Sequence, residues 1–343
     1  MIHINALPHV FGPVLGNGKI KSVADDFMVR EHLGFAPSGE GEHVWLQVEK
    51  RLANTDWVAG VLAKHAGIKK RDVGYSGKKD KYAVTRQWFS FTMSNQEEPN
   101  WNDIESQYDG RIVVLKSARH IRKLKRGWHK YNIFKITARD LAIDECALAH
   151  KFQQLAIFGF PNYFMQQRFG NDEKNLQLTN EIASGKLKYK PKQHGILLSS
   201  ARSFLFNQAL AARIHDQQWG VLQTGDLVQF DNNRSTFVLD ELNATLSERH
   251  QQRDLHATAP LWGRGLLSTT GVVQKREQAL MRQYPELCWF LEQTGLTMDR
   301  RAIRAVPKKL RWKYENNMLT LVFALRSGAY ATALIRELFN ASE

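Results

Sequence analysis

At 343 residues the chain is too long for one ordinary hydrophobic core and predicts about two domains. Its 43% hydrophobic and 24% charged residues, with no apolar run long enough to span a bilayer, describe a soluble globular protein and exclude a membrane-embedded one. The excess of 48 Lys+Arg over 34 Asp+Glu, net +14 with a pI near 9.7, suits a polyanionic partner, and two cysteines (Cys146 and Cys288) exclude a disulfide framework.

The opening stretch MIHINALPHVFGPVLGNGK lacks a basic region followed by an apolar core, so no secretory signal is expected; the two cysteines fit a reducing compartment, and the cytoplasm is the expected location. Alternation then predicts strands in DFMVREHL (26–33) and HVWLQVEK (43–50). A helix follows, capped by Asn54 or Thr55, with Trp57, Val58, Val61, Leu62 and His65 on one face and Gly67 just past its end. A short strand near 73–75 and a second near 85–91 bracket a loop of Gly and Lys that holds Asp80. RIVVLKSARH and YNIFKITAR read as strands on either side of a basic turn at 123–128.

From about residue 141 the texture becomes helical, in LAIDECALAHKFQQLAIFG and SSARSFLFNQALAARIHDQQ, with a polar, loop-prone stretch at 171–195 between them. Short strands (GDLVQF, STFVLD, APLWGRG) and one polar helix over 273–295 come next. After Pro307 the β texture returns as a hairpin turning at 315–317, and YATALIRELF closes the chain as a helix.

Aromatics are interleaved with the charge in ARHIRKLKRGWHKYNIF (118–134) and FGFPNYFMQQRFG (158–170). Bases stack on aromatic faces and phosphates pair with Arg and Lys, so the mixture favours RNA. A membrane-binding helix would need one clean apolar face, which 118–134 lacks. GPVLGNGKIK has the wrong Gly spacing for a phosphate loop and Ile20 in place of the hydroxyl. Cys146 and His150 lie one helical turn apart, but no second pair completes a metal site. Asp80 remains: lysines on both sides favour its ionised form, which suits a nucleophile or cation stabiliser and disfavours a general acid. By position alone it reads more readily as a solvated loop carboxylate pairing with Lys79 or Lys81.

GYSGKKDKYAVTRQWFS (74–90) resembles the signature of the tRNA pseudouridine synthase D family, G-x-K-D-x-x-A-x-T-x-Q, at Gly77, Lys79, Asp80, Ala83, Thr85 and Gln87. Further blocks occur in family order: KSVADDFMVREHLGFAPSGEGEH, GWHKYNIFKI, PNYFMQQRFG, SSARSFLFN and SGAYATALIREL. The resemblance implies an α+β fold of the pseudouridine-synthase type, a mixed and largely antiparallel sheet flanked by helices. It implies a discontinuous catalytic domain, 1–155 plus 305–343, with a second α/β domain, 156–304, inserted. The activity implied is isomerisation of uridine in tRNA, at position 13 of the D arm, with Asp80 the essential carboxylate and with neither metal nor organic cofactor.

By the same resemblance Lys21, Phe27, Lys79, Asn132, Phe134 and Tyr330 line the substrate site. Lys21 contacts Asp80 or a phosphate, unless it is merely solvated; Tyr330 stacks on the target base. Candidate backbone contacts are Lys123, Lys125, Arg126, Arg168 and Arg202. The expected partner is tRNA, bound by a monomer and not by a membrane. The rival readings are a non-catalytic RNA-binding protein and a tRNA-folding chaperone of the same fold.

Overall fold

The computed structural model describes residues 6–93, 97–188, 194–231, 233 and 235–343. Two compact units divide the chain: one is Leu15–Leu148, Pro307–Gly328 and Phe339–Glu343, the other Met1–Val14, Ala149–Val306 and Ala329–Leu338. The expected division placed 1–14 and 329–338 with the first of these; in the structure both segments pack with the second.

The first unit is built on a ten-stranded sheet. Its elements are β1 (Asn17–Ile20), β2 (Phe27–His32), β3 (His43–Arg51), α1 (Thr55–His65), β4 (Gly74–Tyr75), β5 (Val84–Thr92), α2 (Asn102–Gln107), β6 (Ile112–His120), β7 (Tyr131–Arg139), β8 (Lys308–Glu315), β9 (Met318–Arg326) and β10 (Asn340–Ser342). The main order is β8-β9-β7-β2-β5-β3-β6, with β4 beside β5 and β1 joining β7 to β10. Every pair is antiparallel except β2–β5 and β1–β10, so the sheet is mixed but mostly antiparallel.

Alternation fixes which side chains face inward. In β2 Phe27, Val29 and Glu31 are buried while Arg30 and His32 are exposed. In β3 Val44, Leu46 and Val48 pack with Val58, Val61 and Leu62 of α1 into one core cluster. Asn54 caps α1, its side chain accepting from Asp56 N at 2.8 Å, and Gly67 follows in the left-handed region with φ +65°. Trp57 is an exception to the expected buried face: it lies half out, edge-on to Tyr108 and under the Arg111 guanidinium. The β8–β9 hairpin turns on Asn316 and Asn317 at φ +51° and +56°, the left-handed pair that a two-residue type I′ turn requires and that Asn tolerates.

The second unit is richer in helix, with long helices over Glu145–Phe158 and His194–His215 and a four-stranded antiparallel sheet from Leu227 to Ala302. Two expectations change here. The polar stretch 171–195 contains a helix, Lys174–Ala183, whose inward side is Leu176 and Thr179 three residues apart, a stripe concealed among polar neighbours; 189–193 lie outside the described residues. The single helix over 273–295 is two, Gly271–Met281 and Pro285–Gln293, because Pro285 cannot donate within a helix and instead opens a new one. The last helix is also shorter than expected, Ala331–Ile335. Among the described residues no helix is long and apolar enough to cross a membrane.

Candidate active site

The loop between β4 and β5 is held at four points. Gln87, inward on β5, donates from Nε2 to Gly77 O at 3.2 Å, and its Oε1 accepts from Thr55 Oγ1 at 3.0 Å. Thr55 Oγ1 in turn accepts from Lys79 N at 3.0 Å. The Lys79 ammonium bonds Glu31 Oε1 at 2.7 Å, an ion pair with both side chains buried. Finally Lys50, fully buried on β3, donates to Asp80 O at 2.7 Å and to Ala53 O at 2.6 Å. The motif residues thus fix the backbone on both sides of Asp80. The Asp80 carboxylate stays partly exposed.

Beside it stands Lys21, whose Nζ is 3.8 Å from Asp80 Oδ2, 2.5 Å from Glu343 Oε1 and 4.9 Å above the Phe27 ring. Lys21 has φ +59°, an uncommon backbone for a residue with a side chain, and it directs a nearly buried amine into the site. Phe27 meets Phe134 edge-on at 6.2 Å, and Phe134 stacks on Phe323 at 5.4 Å. Together they form a buried aromatic floor. An anionic carboxylate, an ammonium and an apolar floor can receive a flat uncharged base while opposing positive charge that develops on its sugar.

Alongside the floor, on the same side of the sheet, runs a polar network. Glu31 Oε2 accepts from Trp88 N at 2.9 Å, and its Oε1 lies 3.6 Å from His129 Nδ1. His129 bonds Ser76 Oγ at 2.5 Å through Nδ1, and Asn132 Nδ2 donates to its Nε2 at 3.2 Å. With Asn132 as donor, the neutral ring carries its proton on Nδ1. Asn132 Oδ1 is left buried without a partner among the described residues.

Burial, with the Lys79 charge adding to it, pushes His129 down from 6.5 to about 4, so the ring stays neutral. The unfolded chain takes up this proton near 6.5 and the folded one only near 4. Stability from this group is therefore present above 6.5 and lost as pH falls to 4, by about 3 kcal/mol. In urea titrations at pH 7 and pH 4.5, His129→Gln is expected to show the smaller acid-induced loss of the two proteins. An unchanged loss would remove His129 as its source.

Burial also pulls Lys50 down, to about 8, against the Asp80 charge that raises it and with the Lys79 charge lowering it further. An ionised Lys50 costs the fold about 3 kcal/mol at neutral pH. Lys50→Met removes that cost together with two charge-assisted hydrogen bonds of roughly 1.5–3 kcal/mol each. Stability is thus expected to change by less than about 3 kcal/mol, while the Asp80 loop loses an anchor and single-turnover rates drop about tenfold or more. Unchanged turnover would show that the tether is dispensable.

Of the residues singled out from the sequence, Lys21, Phe27 and Phe134 come together around Asp80. Lys79 and Asn132 belong to the adjoining polar network, where the Lys79 amine is spent on Glu31 and Asn132 bonds His129. Lys125 and Arg126 are exposed and Lys123 half-exposed on a loop tied to the motif by Gly127 N donating to Ser76 O at 2.8 Å. Tyr330, Arg168 and Arg202 belong to the other unit. There Arg168 donates to Tyr330 OH at 3.1 Å and to Ser199 Oγ at 2.6 Å. Arg202 donates to the carbonyls of Leu261 and Thr297, a tie between backbone segments.

Sequence reasoning passed over Lys50, Ser76 and His129. For Lys50 a signal was present: alternation in β3 puts 44, 46, 48 and 50 on one side, and three of the four are apolar. A lysine on the apolar side of a strand must have buried partners.

A sequence profile for tRNA pseudouridine synthase D matches residues 15–189 and 179–338. The chain is 38% identical to tRNA pseudouridine synthase D of Aeromonas salmonicida, covering 99% of this chain and 96% of that one. It is 41% identical to the Pseudomonas putida (strain GB-1) protein of the same name, covering 97% and 94%. The crystal structure of a Methanosarcina mazei protein assigned as a tRNA pseudouridine synthase D superposes with a TM-score of 0.70 over 96% of this chain and 94% of that one, at 18% identity, and so shares its fold. The protein belongs to the tRNA pseudouridine synthase D family.

Proposed function

We propose that this enzyme converts uridine 13 in the D arm of tRNA to pseudouridine, with Asp80 as its essential carboxylate and with neither metal nor organic cofactor. In this reaction the N1–C1′ bond breaks, the uracil turns, and C5 bonds to C1′; C5 gives up its proton and N1 ends with one. The observation that carries the reading is the Asp80 carboxylate, held by its backbone, 3.8 Å from the Lys21 ammonium and beside the Phe27–Phe134 floor. Asp80 opposes the positive charge that forms at C1′ or bonds to the sugar or base directly. Asn132 Oδ1, a buried acceptor two residues before Phe134, suits the uracil N3–H. A base taken out of its stack costs a few kcal/mol, which aromatic contact at ~1–3 kcal/mol offsets.

Unmodified tRNA incubated with the enzyme, treated with carbodiimide and copied by reverse transcriptase, should acquire a stop at position 13. Transcripts that gain no stop, or gain it elsewhere, would overturn the assignment of the target.

A further inference from the structure

The side of the sheet turned away from Phe27, Glu31 and Phe134 is exposed and basic along β8, β9, β7 and β2, while Trp45, Trp88 and Leu124 bury part of its β3–β5 end. In register across the strands, Arg311 lies opposite Val322, Val322 opposite Lys135, and Lys135 opposite Met28. The next row runs Lys308, Ala324, Ile133, Arg30, Arg86 and Glu49. Partners in register point to the same side, so the cations of both rows share one surface. Arg30, Arg86, Lys135 and Arg311 are exposed, and even mid-strand Val322 is only half-buried. Four carboxylates share this side, each with a cation of its own: Glu49 pairs with Arg86 at 2.6 Å, Glu315 with Lys313 at 2.8 Å, Asp25 with Arg51 at 2.6 Å and Asp26 with Arg139 at 2.8 Å, and Asp25 lies near enough to Lys135 to feel its charge. Among the described residues none pairs with Arg30, Lys135 or Arg311.

A surface selected only for solubility would alternate its charges. Here Arg30 and Arg86 stand directly opposite one another, like charges in register that Glu49 offsets through its pair with Arg86. Lys135 is a diagonal neighbour of Arg30, and Arg311 lies two strand spacings, about 10 Å, from Lys135. At one end of this surface Tyr131 is half-exposed. It stacks on His32 at 6.4 Å and carries the Arg326 guanidinium at 5.6 Å and the Lys130 amine at 5.7 Å. Cations spaced over an open sheet beside an aromatic ring are what an RNA strand requires, phosphates on the cations and a base on the ring. An anionic membrane would demand apolar anchors that this surface lacks.

We propose that this side of the sheet binds RNA, and that it grips a segment of the substrate other than the arm presenting the target uridine. The proposal rests on the activity proposed above, and its test separates the two. K135A/R311A and the wild-type enzyme are compared on full-length tRNA and on a hairpin containing only the target arm. On full-length tRNA the variant should bind about tenfold more weakly at ~0.1 M salt, and its slope of log K against log salt should flatten by roughly 1.4–1.8 for two lost phosphate contacts. Its kcat/KM on the hairpin should stay within about twofold of wild type. Equal tRNA affinity and slope in the two proteins would overturn the proposal, as would an equal loss on the hairpin, which would mark a general field effect. Weakened binding to phosphatidylserine vesicles with tRNA binding intact would assign the surface to a membrane and overturn it too. If wild-type enzyme modifies neither RNA, the activity assignment fails instead, and the tRNA-binding comparison still decides the surface.

Discussion

Asp80→Asn should lower pseudouridine formation by at least about a thousandfold, some 4 kcal/mol of transition-state stabilisation, while tRNA affinity stays within about tenfold, ~1.4 kcal/mol. The substitution keeps the side chain's size and removes its charge. The loop should hold its shape, because its anchors use other atoms: Lys50 bonds the backbone oxygen of Asp80, and Lys79 is bound to Glu31 and Thr55. Lys21 keeps a carboxylate partner in Glu343. What disappears is the Asp80 charge, which lies beside Lys21 and the aromatic floor and can meet a developing cation. Single-turnover assays with enzyme in excess, alongside filter binding of the same tRNA, separate chemistry from affinity. Turnover within tenfold of wild type would exclude Asp80 from the reaction; affinity lost in step with turnover would make it a binding residue.

How far the sequence led depended on the range of the interaction. Signals confined to a few neighbouring residues were readable: the cap and end of α1 at Asn54 and Gly67, the alternation of β2 and β3, the hairpin turn at Asn316–Asn317. Asp80 emerged through resemblance, since one acid among lysines is by itself an ordinary loop residue. The helix at 174–183 stayed hidden because its buried side is only a narrow stripe. What could not be read was long-range pairing. Nothing local in Glu31 says that Lys79, 48 positions away, will be its counter-ion, or that Ser76 will meet His129 across 53. The same holds for 1–14 and 329–338, whose membership of the second unit depends on distant contacts such as Val10 N donating to Glu337 and Arg336 donating to Pro8 O. In the sequence Lys78, Lys79 and Lys81 are alike as cations beside Asp80. The structure divides them: Lys78 pairs with Asp56, Lys79 with buried Glu31, and neither is a loose surface charge.

That division can be tested through Glu31, whose loss is the largest stability effect expected. Glu31→Gln keeps an acceptor for Trp88 N but leaves the Lys79 ammonium buried without a counter-ion, which should cost about 3–5 kcal/mol. Adding Lys79→Met removes the stranded charge. In E31Q/K79M, chemical denaturation should recover most of that loss and bring stability to within about 1–2 kcal/mol of wild type, because a buried pair replaced as a whole costs far less than one broken. Activity should not recover in parallel. The loop would lose the tie between Lys79 and β2, so kcat should stay about tenfold or more below wild type, while KM for tRNA should stay within about threefold, since an amine committed to Glu31 has no phosphate to release. The opposite pattern, with kcat restored and KM raised tenfold, would make Lys79 a direct contact of the RNA, as its place in the motif suggested. It would also mean that the Glu31 pair gives way when substrate binds.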